Sequence, residues 1–393
     1  MSVLSLWAAR ALTPDESLAR VSLRAEAGRI VELVADVDPP PDAEVFANAT
    51  LVPGLIDLQV NGGEGGAYAA ADPGERERAT QFHLRAGTTS LLAALVSAPL
   101  EQLEASLARL ADEVSPGGPL LGVHLEGPFL AEAKAGAHEG GYLCDPSPQA
   151  VGRLLASARG SLRLVTLAPE RAGALEAIRR FAEAGAVVAA GHSLATSAEL
   201  RNAIEHGLSF MTHVGNASDW PSRPFDPELG FRRSEPGMVG TFLFEPRLRG
   251  SLILDGLHLH PELARALIEL RGPEQIALVS DACPAAGLPP GRYRQGGLDA
   301  EIHPEGYATA GEGLAGSVIP LVRAVRTAVV EAGVALDAAI RMATRTPAEV
   351  IGVAGRKGQL RPGHDADLLL LGGDLSVEAV YRSGERIKTS QSS

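Results

Sequence analysis

Eight short apolar runs, most of them followed by a stretch of helical period, constrain this chain more than any other feature of its sequence. They are Leu55 to Val60, Thr88 to Leu95, Leu120 to Leu125, Leu162 to Leu167, Val187 to Gly191, Phe210 to Thr212, Ser251 to Leu254 and Ile276 to Ser280. Short apolar runs bounded by turn signals read as strands buried on both faces. Helical patterns at Glu75 to Arg85, Leu100 to Val114, Pro148 to Ala158, Ala172 to Ala184, Ala198 to His206, Pro261 to Leu270 and Val318 to Glu331 supply the crossovers. Such alternation makes a parallel sheet, and eight units of it close as a (β/α)8 TIM-like barrel with its chemistry at the C-terminal strand ends.

Four of these runs end on a residue suited to metal binding or proton transfer. Glu126 stops against Gly127-Pro128, His192 follows Gly191, His213 follows Thr212, and Asp281 follows Ser280. Two histidines and a glutamate are a recurrent ligand set for a catalytic zinc, which keeps one position open. Singly, each histidine also reads as a core or capping residue. Together on one rim, Glu126, His192 and His213 read as ligands of a divalent ion. Asp281 reads either as a cap for the turn at Ala282-Cys283-Pro284 or as a general base beside that ion. A bound metal lowers the pKa of water toward ~7, so a nearby carboxylate can take the proton and return it to a leaving nitrogen. His138, in the loop directly after the Glu126 strand, is placed to donate to a scissile carbonyl. His258, in Asp255-Gly256-Leu257-His258, is a candidate substrate contact, whereas His124 and His206 are expected to be structural.

The flanks have a different texture. From Val3 to about Thr50 the pattern is of short strands, and strand signals return after Thr346-Pro347 at Asp367 to Leu371 and Val377 to Arg382. The expected organisation is therefore a small β-sandwich domain built from both termini, residues 1–51 and 347–393, around a catalytic barrel at 52–346. The long connection from Ala217 to Thr241 is expected to act as a lid or subunit contact. A net charge of −13 argues against a nucleic-acid surface, and no apolar segment is long enough to span a membrane. Only Cys144 and Cys283 are present, too few for a disulfide framework, and Met1 to Ala11 does not read as a signal peptide, so a cytoplasmic location is expected.

With these pieces in place, the chain resembles the N-acetylglucosamine-6-phosphate deacetylase branch of the amidohydrolase superfamily. The resemblance runs through Pro53 to Asp57, His124 to Pro128, Gly191 to Ser193, Thr212-His213, Asp255 to His258, Ser280 to Ala282, Leu314 to Ser317 and Gly363 to Asp367. It implies a metal-dependent barrel with a β-sandwich, usually a homodimer, that releases acetate from an N-acetylated amino-sugar phosphate, with Glu126, His192 and His213 as ligands and Asp281 as acid/base. Many superfamily members carry a His-x-His pair on the first strand that helps hold a second metal. Here Gln59 and Asn61 stand at those positions, and neither is a good ligand for a transition metal. One divalent ion per subunit is therefore expected, zinc first, with iron(II) or manganese as alternatives.

The resemblance also implies substrate contacts from Ala137, His138, Asn216, Ala217, Arg233, His258 and Leu314. Two departures bear on the phosphate. Val214-Gly215 precedes Asn216-Ala217 where an aromatic residue is common, and Ser234 precedes Glu235-Pro236-Gly237 where an arginine is common, leaving Arg232 or Arg233 to supply the guanidinium. The expected reaction is hydrolysis of the acetamide of an N-acetylhexosamine 6-phosphate, first of all N-acetylglucosamine 6-phosphate to glucosamine 6-phosphate plus acetate. The alternatives are another amide, such as an unphosphorylated N-acetyl amino sugar, N-acetylgalactosamine 6-phosphate, an N-acyl amino acid or a cyclic amide, or a silent sugar-phosphate binder.

Overall fold

A computed structural model describes residues 3–13, 15–218, 225–226, 230–232, 234–295, 298–310 and 313–388. Its centre is an eight-stranded sheet of Leu55–Val60, Thr88–Leu95, Leu120–Glu126, Leu162–Leu167, Val187–Ala190, Leu208–Met211, Arg249–Ile253 and Ile276–Val279. The strands lie side by side in sequence order, each parallel to its neighbour. The sheet is nearly closed: beyond the last strand Ala282 bridges Val60 in parallel, and Asp281 N–H donates to the Gln59 carbonyl at 3.0 Å.

Alternation along the strands divides the core. Ile56, Leu92, Leu164, Ala189, Phe210, Ile253 and Ala277 form one buried cluster, with Ala348 and Ile351 closing it at one end. Their neighbours Leu91, Val165, Val188, Leu252 and Leu278 pack instead with helix residues such as Leu107, Leu154, Ile178, Leu200 and Leu267. Successive side chains of a strand point to opposite faces, so the first set fills the barrel and the second sits between strands and helices. The surrounding helices start where the chain supplies caps. Asp72 precedes Pro73–Arg85, Ser147 precedes Pro148–Ala158, and Thr196 forms a reciprocal box with Glu199 ahead of Ser197–Glu205.

Both ends of the chain build a second sheet, in the order Glu385–Ile387, Val377–Arg382, Leu368–Leu371, Glu44–Pro53, Val3–Leu12, Ser17–Glu26 and Arg29–Val34. Leu368 and Leu370 face its own core with Leu6, Leu23 and Ile30, whereas Leu369 and Leu371 pack into the barrel's outer core. The β structure from both termini is thus one sheet around a core of its own, docked by its other face.

Several elements differ from the sequence expectations. A helix with no counterpart in the sequence reading runs Arg345–Val350 across Thr346-Pro347, ahead of the expected strands; proline is tolerated in a first helical turn. The helix expected from Val318 begins at Leu321, after Pro320. Gly237–Phe244 is helical with Met238, Val239 and Phe242 buried, although its glycines hide the pattern. After the last barrel strand, a small antiparallel sheet of Gly291–Gln295, Leu298–Ile302, Ala308–Ala310 and Gly313–Leu314 is inserted. Of the expected lid at 217–241, only parts are described: Phe225–Asp226 pairs with Phe231–Arg232, while Trp220 and Arg233 lie outside the described residues.

Candidate active site

Glu126 is the last residue of the third barrel strand, and His192, His213 and Asp281 follow the ends of the fifth, sixth and eighth. The last three adopt left-handed backbone conformations, with φ of 49°, 30° and 48°. Such a conformation costs a non-glycine residue about 1–3 kcal/mol and is held only where the surroundings enforce it. Here it occurs at the ends of the fifth, sixth and eighth strands, the three that deliver these side chains to the rim.

Glu126, His192 and His213 are buried, and one ligand atom from each lies within 4.8 Å of the others. His213 Nε2 is 2.9 Å and His192 Nε2 3.3 Å from Glu126 Oε1. The outer ring nitrogens fix the tautomers. His192 Nδ1 meets the Lys134 carbonyl at 2.7 Å and His213 Nδ1 the Asn216 carbonyl at 3.2 Å, and a carbonyl can only accept. With Nδ1–H committed outward, each ring turns its Nε2 toward the carboxylate, the nitrogen that would face a bound cation. Burial pushes the Glu126 carboxyl up, but the two imidazoles outweigh it and hold the group well below the usual carboxylate range. Burial likewise opposes the charged form of His213, yet the hydrogen bond and charge of Glu126 carry its pKa upward. Three donor atoms of mixed nitrogen and oxygen type, oriented by outer carbonyls around a buried negative charge, fit a divalent cation.

His138 has the opposite tautomer. Its Nδ1 accepts the Ser97 backbone N–H at 3.2 Å and lies 2.8 Å from the Ser97 hydroxyl, so the ring proton sits on Nε2, 3.7 Å from Glu126 Oε2. Burial lowers its pKa to about 3, so the ring is neutral and an N–H donor faces the cavity. The Asp281 carboxyl is pushed up to about 6 by burial and then by the charge of Glu126, and its Oδ1 accepts Asn61 Nδ2–H at 2.8 Å. His258 Nδ1 is 2.6 Å from Asp255 Oδ2, and Asp255 also accepts the backbone N–H groups of Leu257 and His258. His124 points deeper, toward the Leu58 carbonyl and the Thr166 hydroxyl.

Above this rim opens a cavity of about 600 Å³, in the range that holds a small ligand. Its walls include Asn61, Glu126, Ala137, His138, His192, His213, Asn216, Ala217, His258, Asp281 and Leu314. Two residues expected at the site are not among those walls. Gln59 is buried below the rim with no partner for its Nε2 among the described residues, and Arg233 lies outside those residues. The sequence reading also missed Ser97, Lys134 and Tyr142, and the inserted sheet that brings Ala300 and Gly313 to the wall. Ser97 was within reach of the same argument, since it is the first hydroxyl after the Thr88–Leu95 run.

The chain is similar to known proteins over nearly its whole length. The amidohydrolase family pattern matches residues 50–387. An N-acetylgalactosamine-6-phosphate deacetylase of Escherichia coli O157:H7 is 35% identical over 97% of this chain and 98% of its own. An N-acetylglucosamine-6-phosphate deacetylase of Bos taurus is 35% identical over 86% of this chain and 83% of its own. Among solved structures, a mutant N-acetyl-D-glucosamine-6-phosphate deacetylase from Mycobacterium smegmatis, in complex with N-acetyl-D-glucosamine-6-phosphate, superposes with a TM-score of 0.90 at 37% identity, covering 99% of this chain and 100% of that one. By sequence pattern, by relatives and by fold, this chain belongs to the amidohydrolase family.

Proposed function

We propose that this protein hydrolyses the acetamide of an N-acetylhexosamine 6-phosphate, N-acetylglucosamine 6-phosphate first, to the amino-sugar phosphate and acetate. The observation that carries the reading is the convergence of Glu126, His192 and His213 with Asp281 and His138 on one cavity of ligand size, in a chain similar throughout to deacetylases of such sugars. One divalent ion, zinc in this reading, would be held by Glu126, His192 and His213, where it polarises the amide and makes water nucleophilic at neutral pH. Gln59 and Asn61 offer amides rather than imidazoles at the end of the first strand, which is why one ion is assigned and not two.

The chain's own groups divide the remaining work. Asp281, ionised, accepts a proton from the attacking water and returns it to the nitrogen as the C–N bond breaks, so that the amine leaves neutral. His138 Nε2–H donates to the carbonyl oxygen as negative charge develops there. His138 is buried and Asp281 half-buried, which limits the access of bulk water to the proton transfer. His258, held by Asp255, together with Asn216, Ala217, Ala137 and Leu314, lines the cavity where the sugar phosphate would lie. Arg233 is assigned to the phosphate, and the working unit to a cytoplasmic homodimer whose barrel spans 52–346 between the two parts of the β domain.

A second reading exchanges the sugar. The galactosamine deacetylase relative matches this chain nearly end to end, so the 4-epimer is a direct competitor. Acetate release from the two phosphorylated epimers and from unphosphorylated N-acetylglucosamine separates the readings. We expect turnover on a phosphorylated sugar and little on the plain one. Equal rates with and without phosphate would overturn the substrate assignment.

A further inference from the structure

We propose that Asn61 is a positioning residue for Asp281, and that it selects which carboxylate oxygen carries the proton. This rests on the reading of Asp281 as the proton carrier. The two residues face each other across the seam where the barrel closes. Asn61 N–H donates to the Ala282 carbonyl at 2.9 Å, Asp281 N–H donates to the Gln59 carbonyl at 3.0 Å, and Tyr68 N–H donates to the Asn61 carbonyl at 3.1 Å. Both backbones are therefore fixed before the side chains meet.

The side-chain contact is Asn61 Nδ2–H to Asp281 Oδ1 at 2.8 Å, the one donor to that carboxylate among the described residues. An ionised carboxylate only accepts, so the amide must turn its NH2 toward Asp281. The consequence is visible on the other side: Asn61 Oδ1 is buried with no hydrogen-bond partner among the described residues. Flipping the amide would set two oxygens against each other. The residue thus leaves its acceptor unpaired to place its donor, an arrangement that packing alone does not favour.

The terminal torsion of an aspartate is broad and nearly two-fold, so a free carboxylate presents either oxygen to the substrate. With Oδ1 occupied by Asn61, Oδ2 is the oxygen left to take and return the proton. This acts on the chemical step, and leaves binding of the sugar and of the cation to other groups.

The test uses the metal-loaded protein with N-acetylglucosamine 6-phosphate and the variants Asn61→Ala and Asn61→Leu. The second keeps the branched shape but removes the donor and adds no charge, which separates positioning from packing. In both, kcat is expected to fall about 100-fold, the scale of a misplaced reacting group, with KM and metal content per chain close to wild type. Unchanged kcat, or losses in KM or metal content in step with kcat, would overturn the proposal. Asp281→Asn is run beside them: if that variant turns over, it is the reading of Asp281 that fails.

Discussion

Histidines of opposite tautomer share one rim, and the difference is set by single backbone groups. The Lys134 and Asn216 carbonyls force Nδ1–H on His192 and His213, while the Ser97 N–H forces a bare Nδ1 on His138. The first pair is thereby fitted to bind a cation and the third to donate a hydrogen bond. His138→Gln should lower kcat by about 10²–10³, the usual loss for one oxyanion donor, with metal content unchanged; metal loss in step with activity would instead make His138 a ligand. Asp281→Asn should lower kcat by about 10²–10⁴ while sugar and metal still bind, measured by steady-state kinetics and metal analysis. These roles were only half legible in the sequence. The strand-end positions of Glu126, His192, His213 and Asp281 follow from short apolar runs, whereas tautomers depend on carbonyls and N–H groups from distant loops that no local pattern reveals.

At the level of elements, helix starts carry a measurable share of stability near the site. The Thr196 box caps Ser197–Glu205, the helix that follows the His192 loop, through Thr196 Oγ1 and the Glu199 carboxylate. Thr196→Ala should destabilise the fold by about 1 kcal/mol in urea unfolding, with kcat unaffected. Strongly periodic elements were readable: the apolar strands and the amphipathic helices needed only small shifts, such as Leu208–Met211 in place of Phe210–Thr212. Elements specified by long-range partners were not. Gly237–Phe244 is buried on nearly every side, so it carries no amphipathic stripe, and the inserted sheet at 291–314 is short, glycine-rich and polar. Its placement over the cavity comes from contacts such as Ile302 and Ala308 with Ala285, which pair distant positions.

Across the whole molecule, the terminal sheet is joined to the barrel by a buried charge cluster. Lys357 Nζ lies 2.6 Å from Asp367 and 3.2 Å from Asp365, all three buried, and the Asp367 carbonyl accepts Gly54 N–H at the entry to the barrel. Lys357→Met should cost about 3–5 kcal/mol in urea unfolding, because it leaves two carboxylates buried with weaker compensation. Acid should weaken the fold as well. Burial holds His83 neutral with a pKa lowered from 6.5 to about 4, so the unfolded chain takes up a proton that the native one refuses. That contribution is complete above the unfolded pKa and is lost as pH falls toward the folded one. Replacing His83 with Gln should therefore reduce the fall in stability by up to about 1.4 kcal/mol per pH unit across that window; an unchanged slope would show that the ring is already charged in the native state.

The proposed deacetylation of a phosphorylated amino sugar rests on one cation held by Glu126, His192 and His213. Its most direct test is to strip the protein with a chelator and add zinc back in steps, following acetate release from N-acetylglucosamine 6-phosphate and its 4-epimer. The expected result is no turnover in the stripped protein, recovery that levels off at about one ion per chain, and no recovery for Glu126→Ala. Full activity in the stripped protein, or a zinc-loaded protein that releases acetate from neither sugar, would contradict it.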